Sequence, residues 1–170
     1  MKKLFKVALV AVCIIFAGNV AKAQLKIGYI SFNQLVDQMP ETKKVKTDRD
    51  VYSKQFMDQL TSMNTEYQSK VQAYQAARAT MTDAVRGVKE SELADLQKRM
   101  QDYSTDAQQK VDAKTNELTK PLFEKAKGAI AQVAKEKGYT YVLDSSAIDL
   151  LVSPAGDDMM NDVKAKLGLK

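Results

Sequence analysis

The chain has 170 residues, 26 basic and 21 acidic, with no His, no Trp and a single Cys. This inventory excludes an internal disulfide framework, catalysis by His and ordinary zinc sites, because each needs side chains that the sequence lacks. Catalysis by carboxylates alone would have to use a pair such as Asp144 and Asp149. Both follow or begin strand-like runs, where Asp usually makes turn hydrogen bonds, so we do not expect an enzyme and no cofactor or metal is indicated.

The first 23 residues have the pattern of a secretory signal peptide. Lysines precede an apolar run from Val7 to Ala17, and Ala21-Lys22-Ala23 matches the small-x-small cleavage pattern. The apolar run is too short to span a bilayer. Cys13 lies inside it without the small residue that should precede a lipoprotein cysteine. We therefore expect a soluble periplasmic protein that begins at Gln24.

Removal of this segment changes the charge balance of the chain. The segment holds four lysines and no acidic residue, so 22 basic and 21 acidic residues remain and the net charge falls from +5 to +1. Phosphate contacts need a clustered excess of cations. Nucleic-acid binding is therefore not expected.

Two short elements are predicted after the cleavage site. Residues Leu25 to Ile30 alternate like a half-buried strand, and Phe32 to Val36 favour a short helix. The chain between Pro40 and Pro121 then contains no other proline and one glycine. This composition is typical of long helices.

We predict a hairpin of two helices, from Glu41 to Arg86 and from Glu92 to Glu136. At the usual rise per residue each helix is about 65 to 70 Å long. The tip is predicted at Gly87 to Glu90, because Gly87 suits the position just after a helix end. No compact domain of this size is that wide, so the hairpin is expected to project from a body formed by the flanking segments.

The C-terminal third is predicted to complete that body. The apolar period continues through Pro121, which favours a bent but continuous helix that ends at Gly138. Tyr139 to Leu143 and Ile148 to Val152 read as a second and a third strand, and Asp157 to Leu167 as a terminal helix.

The first long helix carries an apolar stripe whose ten steps average 3.6 residues, so the stripe stays on one face. Most of this stripe is expected to be the seam between the two helices. Flexible Met and amphipathic Tyr also suit a surface that accepts varied apolar partners. The residues expected to bind such partners are Tyr52, Phe56, Met57, Leu60, Met63, Tyr67, Tyr74 and Met81.

The predicted fold class is α+β, mainly α with a small β body. The predicted divisions are the signal peptide at 1–23, the body at 24–40 and 128–170, and the helical hairpin at 41–127. A body of about 60 residues has little interior and exposes strand edges, so edges should pair between subunits. The residues expected to lie between subunits are Ile27, Ile30, Val142, Leu143, Leu150 and Val152.

The ends of the mature chain resemble the Skp (OmpH-like) family of periplasmic chaperones. The resemblance rests on KIGYI at Lys26–Ile30, Pro121, AIAQVAKEKGY at Ala129–Tyr139, YVLD at Tyr141–Asp144 and PAGDDMMNDV at Pro154–Val163. It implies a homotrimer whose strands form a small β-barrel, with three helical hairpins around a central cavity. It also implies that the protein holds unfolded outer-membrane proteins in that cavity without ATP.

The family is often described with strongly basic arm tips, which would contact acidic clients or a membrane surface. Here the basic and acidic side chains near the tip are mixed, so contact with lipid or lipopolysaccharide has less support. The residues concerned are Arg78, Arg86, Lys89, Asp83, Glu90 and Glu92.

A structural coiled-coil spacer or adaptor of the cell envelope is the alternative. In that reading the whole stripe is seam and nothing is bound. Binding of a hydrophobic dye, together with suppression of the aggregation of an unfolded β-barrel protein, separates the two readings.

Overall fold

The computed structural model describes residues 25–169, so the predicted signal peptide and the start at Gln24 lie outside the described residues. The protein is mainly helical with one small two-stranded sheet, which confirms this part of the predicted fold class. In chain order the elements are β1 (Ile27–Ile30), α1 (Phe32–Gln38), α2 (Pro40–Ala77), a 3-10 turn (Arg78–Thr80), α3 (Asp83–Lys137), β2 (Tyr141–Asp144), a second 3-10 turn (Ala155–Asp157) and α4 (Met160–Leu167).

The two long helices, α2 and α3, lie against each other in opposite directions. Near the start of α2, Glu41 pairs with Lys125, and near its end the Tyr74 hydroxyl donates a hydrogen bond to Glu90. The partner number on α3 therefore falls as the number on α2 rises, as an antiparallel pair requires. The helices have 38 and 55 residues, or about 57 and 82 Å of axis at the usual rise.

The turn between the long helices is at 78–82, so the predicted tip at 87–90 is wrong. Thr82 caps α3, because its hydroxyl accepts a hydrogen bond from the N–H of Val85 over 3.4 Å. Gly87 lies inside α3 at an exposed position where an added Cβ would meet nothing within 4 Å. A single exposed glycine weakens a helix by about 1 kcal/mol without ending it, so the cap at Thr82 sets the boundary.

Helix α3 continues through Pro121, as predicted, and ends at Lys137. Gly138 follows with φ 72°, a left-handed conformation that suits glycine. The N–H of Tyr139 then bonds to the carbonyl of Ala134 over 2.9 Å and satisfies the helix end. The bend at Pro121 stays a prediction.

Strands β1 and β2 pair in parallel, with Ile27 opposite Tyr141 and Ile30 opposite Asp144. On the other side of β1, the N–H of Met159 donates to the Tyr29 carbonyl over 3.0 Å. Within residues 25–169 the outer edge of β2 pairs with no further strand.

The predicted third strand at Ile148 to Val152 is wrong for the single chain. Residues 145–154 form turns and irregular backbone between β2 and the second 3-10 turn. An extended apolar run becomes a strand only where a neighbouring edge receives its N–H and C=O groups. The described part of this chain offers it no such edge.

The hydrophobic core lies where the sheet meets α1, the base of α2, the last turns of α3, and α4. Its buried members are Ile30, Leu35, Met39, Leu122, Ala126, Ala129, Val133, Met159 and Val163. One predicted interface residue therefore belongs to the interior of its own chain. Ile30 is only 2% exposed, because Ile30 and Gly28 occupy the buried positions of β1 and Ile27 does not.

Candidate functional site

The predicted binding residues lie along the length of α2 and at the turn that follows it. They differ in how much of each side chain is exposed to solvent. Met57 is 63% exposed, and Val51, elsewhere on the same helix, is 68% exposed. The other predicted residues are partly covered, which fits a seam that keeps one side open to solvent. These half-buried residues are Tyr52, Phe56, Leu60, Met63, Tyr67, Tyr74 and Met81.

Aromatic side chains of the two helices meet in the half of the seam nearer the body. The rings of Tyr52 and Phe56 meet edge to face with centroids 5.2 Å apart. Phe56 also approaches Tyr103 of α3 at 6.2 Å. Aromatic pairs at these separations stabilise each other by about 0.5 to 1.5 kcal/mol beyond the area that they bury. The cluster therefore holds α2 on α3 while its outer surface remains accessible.

Charged residues interrupt the seam beside this aromatic cluster. Lys110 pairs with Asp106 at 2.7 Å and Lys114 with Glu117 at 2.8 Å. Hydrogen bonds to these carboxylates, opposed by partial desolvation, raise the pKa of both lysines, and the nearby Tyr52 hydroxyl adds a smaller contribution in the same direction. Both lysines stay charged, so this stretch of the pair is polar.

A cleft of about 290 Å³ opens between α2 and α3 near the turn. Tyr74 forms part of it, and the hydrogen bond from its hydroxyl to Glu90 raises the pKa of Tyr74. The residues on the α3 side of this cleft were not predicted from the sequence. The small residues Ala73 and Ala77 on α2 were the signal that could have indicated a space between the two helices here. The lining consists of Lys70, Ala73, Tyr74, Ala77, Met81, Lys89, Glu92 and Leu93.

Two basic side chains in the first turns of α3 have acidic partners close by. Arg86 pairs with Asp83 at 3.2 Å and Lys89 with Glu92 at 2.9 Å. The hydrogen bond from Lys89 is also the main reason why the pKa of Glu92 is lowered. This local pairing leaves the turn with little excess charge of either sign.

A second groove, of about 320 Å³, lies on the body beside the sheet. Next to it Leu151 is 92% and Val152 86% exposed, more than any other large apolar side chains among the described residues. Val142, by contrast, packs against the core of its own chain. Of the predicted subunit-interface residues, the groove brings together Ile27, Leu143, Leu150 and Val152.

Asp144 has the turn function that its position predicts. Its carboxylate accepts hydrogen bonds from the N–H of Phe32 at 3.1 Å and from the N–H of Ser146 at 2.9 Å. Burial alone would raise the pKa of Asp144, but these bonds and one from the Ser146 hydroxyl outweigh it and lower the pKa. Among residues 25–169, no group of three or more His, Cys, Asp or Glu side chains is placed to share a metal ion.

Comparison with known families assigns the chain on nearly its whole described length. The family described as Outer membrane protein (OmpH-like) matches residues 26–167. The chain belongs to the OmpH-like family. The match includes both flanking segments and both long helices, so the groove on the body and the cleft near the turn both lie within the OmpH-like region.

The relatives of this chain include proteins that bear the name Chaperone protein Skp. The protein of Photorhabdus luminescens is 27% identical over 157 residues, which cover 90% of this chain and 92% of the relative. The protein of Yersinia enterocolitica is 26% identical over 170 residues, covering 96% of this chain and all of the relative.

The fold also matches a solved structure from Caulobacter crescentus, described as an OmpH-like outer membrane chaperone. The TM-score is 0.65 at 18% identity, over 83% of this chain and 82% of that one. At this identity the likeness shows a shared fold.

Within residues 25–169, none of the helices is both long enough and apolar enough to cross a membrane.

Proposed function

We propose that this OmpH-like protein is a periplasmic chaperone that holds unfolded outer-membrane proteins without ATP. The observation that carries the proposal is the apolar stripe along α2, which the partner helix covers only in part and which has the exposed Met57 beside it. The names of the two relatives support the same function, since they match nine-tenths or more of this chain.

Such a surface binds through many partial contacts. Burying apolar area stabilises a complex by about 25 cal/mol per Å², so several half-exposed side chains together give useful affinity while none is essential. Thioethers such as Met57 and Met63 adapt to clients of different sequence. The helical pair acts as an arm with its client-binding face directed inward, toward a cavity that the arms of an assembly enclose.

The assembly proposed here is a homotrimer held by the body. Support comes from the body groove, where Leu150 and Val152 line one side and Leu151 is almost fully exposed. An isolated two-stranded sheet is too small to be stable alone, and the open edge of β2 can receive a strand from another copy. Ile148 to Val152 then becomes a strand only in the trimer, and the joined strands form a small barrel.

The alternative function is that of a structural spacer of the cell envelope. A specific observation favours it, because nearly all the predicted binding residues are partly covered by the neighbouring helix. A spacer, however, needs no outward apolar side chains, whereas Val51 and Met57 are mostly exposed.

The test is whether the exported protein keeps a chemically unfolded β-barrel protein in solution after dilution from denaturant. We expect light scattering to fall to near baseline at one trimer per client, with a rise in the fluorescence of a hydrophobic dye on the free trimer. A compact protein of similar mass is the matched control. Unchanged scattering and no dye signal would favour the spacer.

A further inference from the structure

We propose that the cleft near the turn is a pocket for one aromatic side chain of the unfolded client. The inference rests on the proposed chaperone function and gives it a defined subsite. The cleft provides about 290 Å³ of space between the two helices, beside the stripe. That space accommodates a single ring.

The cleft lies where α2 carries small residues, with Ala77 on the stripe itself and Ala73 beside it. Ala73 and Ala77 leave the space open, and Tyr74, Met81 and Leu93 form its apolar walls. A methionine sulfur beside a ring is a favourable contact, as is an edge-to-face contact with tyrosine. These walls suit an aromatic ring better than an aliphatic side chain of similar size.

The rim of the cleft favours a neutral occupant over an anion. Lys70 and Lys89 stand at the rim, where an ammonium group can lie over the face of a bound ring. Each also has an acidic partner, with Glu66 3.8 Å from Lys70 and Glu92 2.9 Å from Lys89. A free phosphate or carboxylate would have to compete with these acids, whereas a ring would not.

The chemistry of β-barrel proteins supplies such rings. Their strands alternate apolar and polar residues, and belts of aromatic residues mark both membrane interfaces. An unfolded barrel chain therefore presents aromatic side chains at intervals, and any one of them can enter the cleft while neighbouring residues contact the stripe.

The experiment uses the absence of Trp from this sequence: at an excitation wavelength that Tyr does not absorb, the Trp of the probe is the only emitter. The probe is a soluble peptide of alternating apolar and polar residues with one central Trp, titrated with the exported trimer. We expect a blue shift of the Trp emission on binding. A matched peptide with Leu at that position, followed by competition, should bind about fivefold to tenfold more weakly.

Two variants assign the preference to the cleft. Ala77→Leu fills it and should abolish the difference between the Trp and Leu peptides, and Ala73→Leu serves in the same way if circular dichroism shows that the first variant is unfolded. Ala84→Leu is the matched control, because Ala84 is exposed on α3 near the turn and does not line the cleft. It should leave the preference unchanged.

Equal binding of the two peptides to the unaltered protein would overturn the inference, as would a preference that survives both filling variants. Suppressed aggregation of the unfolded barrel protein without any Trp preference would reject the cleft alone and leave the proposed function intact. Failure to suppress aggregation, with Trp preference retained, would reject the holdase function and keep the cleft as an aromatic site.

Discussion

Tyr139 connects three separate parts of the body through one side chain. The Lys26 ammonium lies 4.1 Å from the centre of its ring and also donates to the carbonyl of Lys137 at the end of α3. The Tyr139 hydroxyl donates to the carbonyl of Gly156 at 3.2 Å. Partial burial raises the pKa of Tyr139 above the ordinary tyrosine value, which already keeps the hydroxyl protonated at neutral pH.

Gly28 lies close to Tyr139 and has no room for a side chain. A Cβ at this position would lie 2.8 Å from Sδ of Met159 and 3.0 Å from Cδ1 of Tyr139, and Met159 is fully buried. Gly28→Ala should therefore lower the free energy of unfolding by about 1 to 3 kcal/mol, measured by denaturant titration. Gly156→Ala, where a Cβ meets nothing within 4 Å, is the control. An equal effect of both changes would contradict the close approach.

The hydrogen bonds of Asp144 predict that the protein loses stability in acid. Its folded pKa is below that of the unfolded chain, so its contribution is fully present above the unfolded value near 4 and is lost as pH falls through the folded pKa. Unfolding titrations between pH 6 and the acid limit, at about half-unit steps, should show this loss in the unaltered protein and less of it in Asp144→Asn. Identical pH dependence of the two proteins would count against the contacts with Phe32 and Ser146.

At the scale of elements, the position of the turn decides how long each helix is. Helix α3 is longer than α2 because it starts right after the turn and runs back past the start of α2 into the body. Leu96 and Ala107 are buried on α3, within the length along which α2 packs against it. The arm is therefore one continuous α3 with α2 packed along most of it.

The sign of the effect of Gly87→Ala tests the revised turn. Inside a helix, replacing an exposed glycine by alanine should stabilise by about 0.5 to 1 kcal/mol, measured by thermal or denaturant unfolding followed at 222 nm. If Gly87 instead followed a helix end with positive φ, alanine would destabilise. Gly138→Ala is the matched comparison, because Gly138 has φ 72° and should lose stability.

Residues in the half of the stripe nearer the body test where clients bind. Replacing Tyr52, Phe56 and Met57 together by Gln should strongly reduce binding of an unfolded barrel protein, while single changes reduce it slightly, because affinity is shared among many contacts. Exchange of the exposed Gln55 and Gln59 for Ala is the control. Helicity and trimer mass should persist in all variants.

Full activity of the triple variant would contradict this mechanism. So would activity that is abolished by moderate salt alone, because the exposed charges along the helices are already paired with one another and leave little net charge to attract clients. That outcome would favour electrostatic capture of clients.

At the scale of the whole molecule, the core and the arm have different functions. The buried residues cluster around the sheet. The arm, which extends from Leu122 toward the turn, has few fully buried side chains among the described residues. We therefore place the proposed assembly in the body and the proposed client contacts on the arm.

Shortening the arm should then leave the proposed trimer intact. Deleting 66–76 and 88–98 removes three turns from each helix and keeps the turn at 78–82. Native mass spectrometry should give an unchanged oligomeric state, whereas aggregation assays should show reduced capacity for long clients. A monomer after this deletion would show that the arms hold the assembly together.

Local patterns by themselves determined most of the elements. The period of 3.6 and the absence of proline predicted both long helices, and alternation predicted β1, because these signals depend only on neighbours in the chain. Gly138 ended α3 where predicted, since a left-handed glycine is a local requirement.

Only the tertiary structure decided the features that depend on distant contacts. The turn moved to 78–82 because a cap at Thr82 outweighed a tolerated Gly87, Ile30 turned into its own core, and Ile148 to Val152 formed no strand without a partner edge. The cleft near the turn also depends on distant contacts, because its walls come from two different helices. A one-dimensional pattern specifies which face of a helix is apolar, but what covers that face depends on packing.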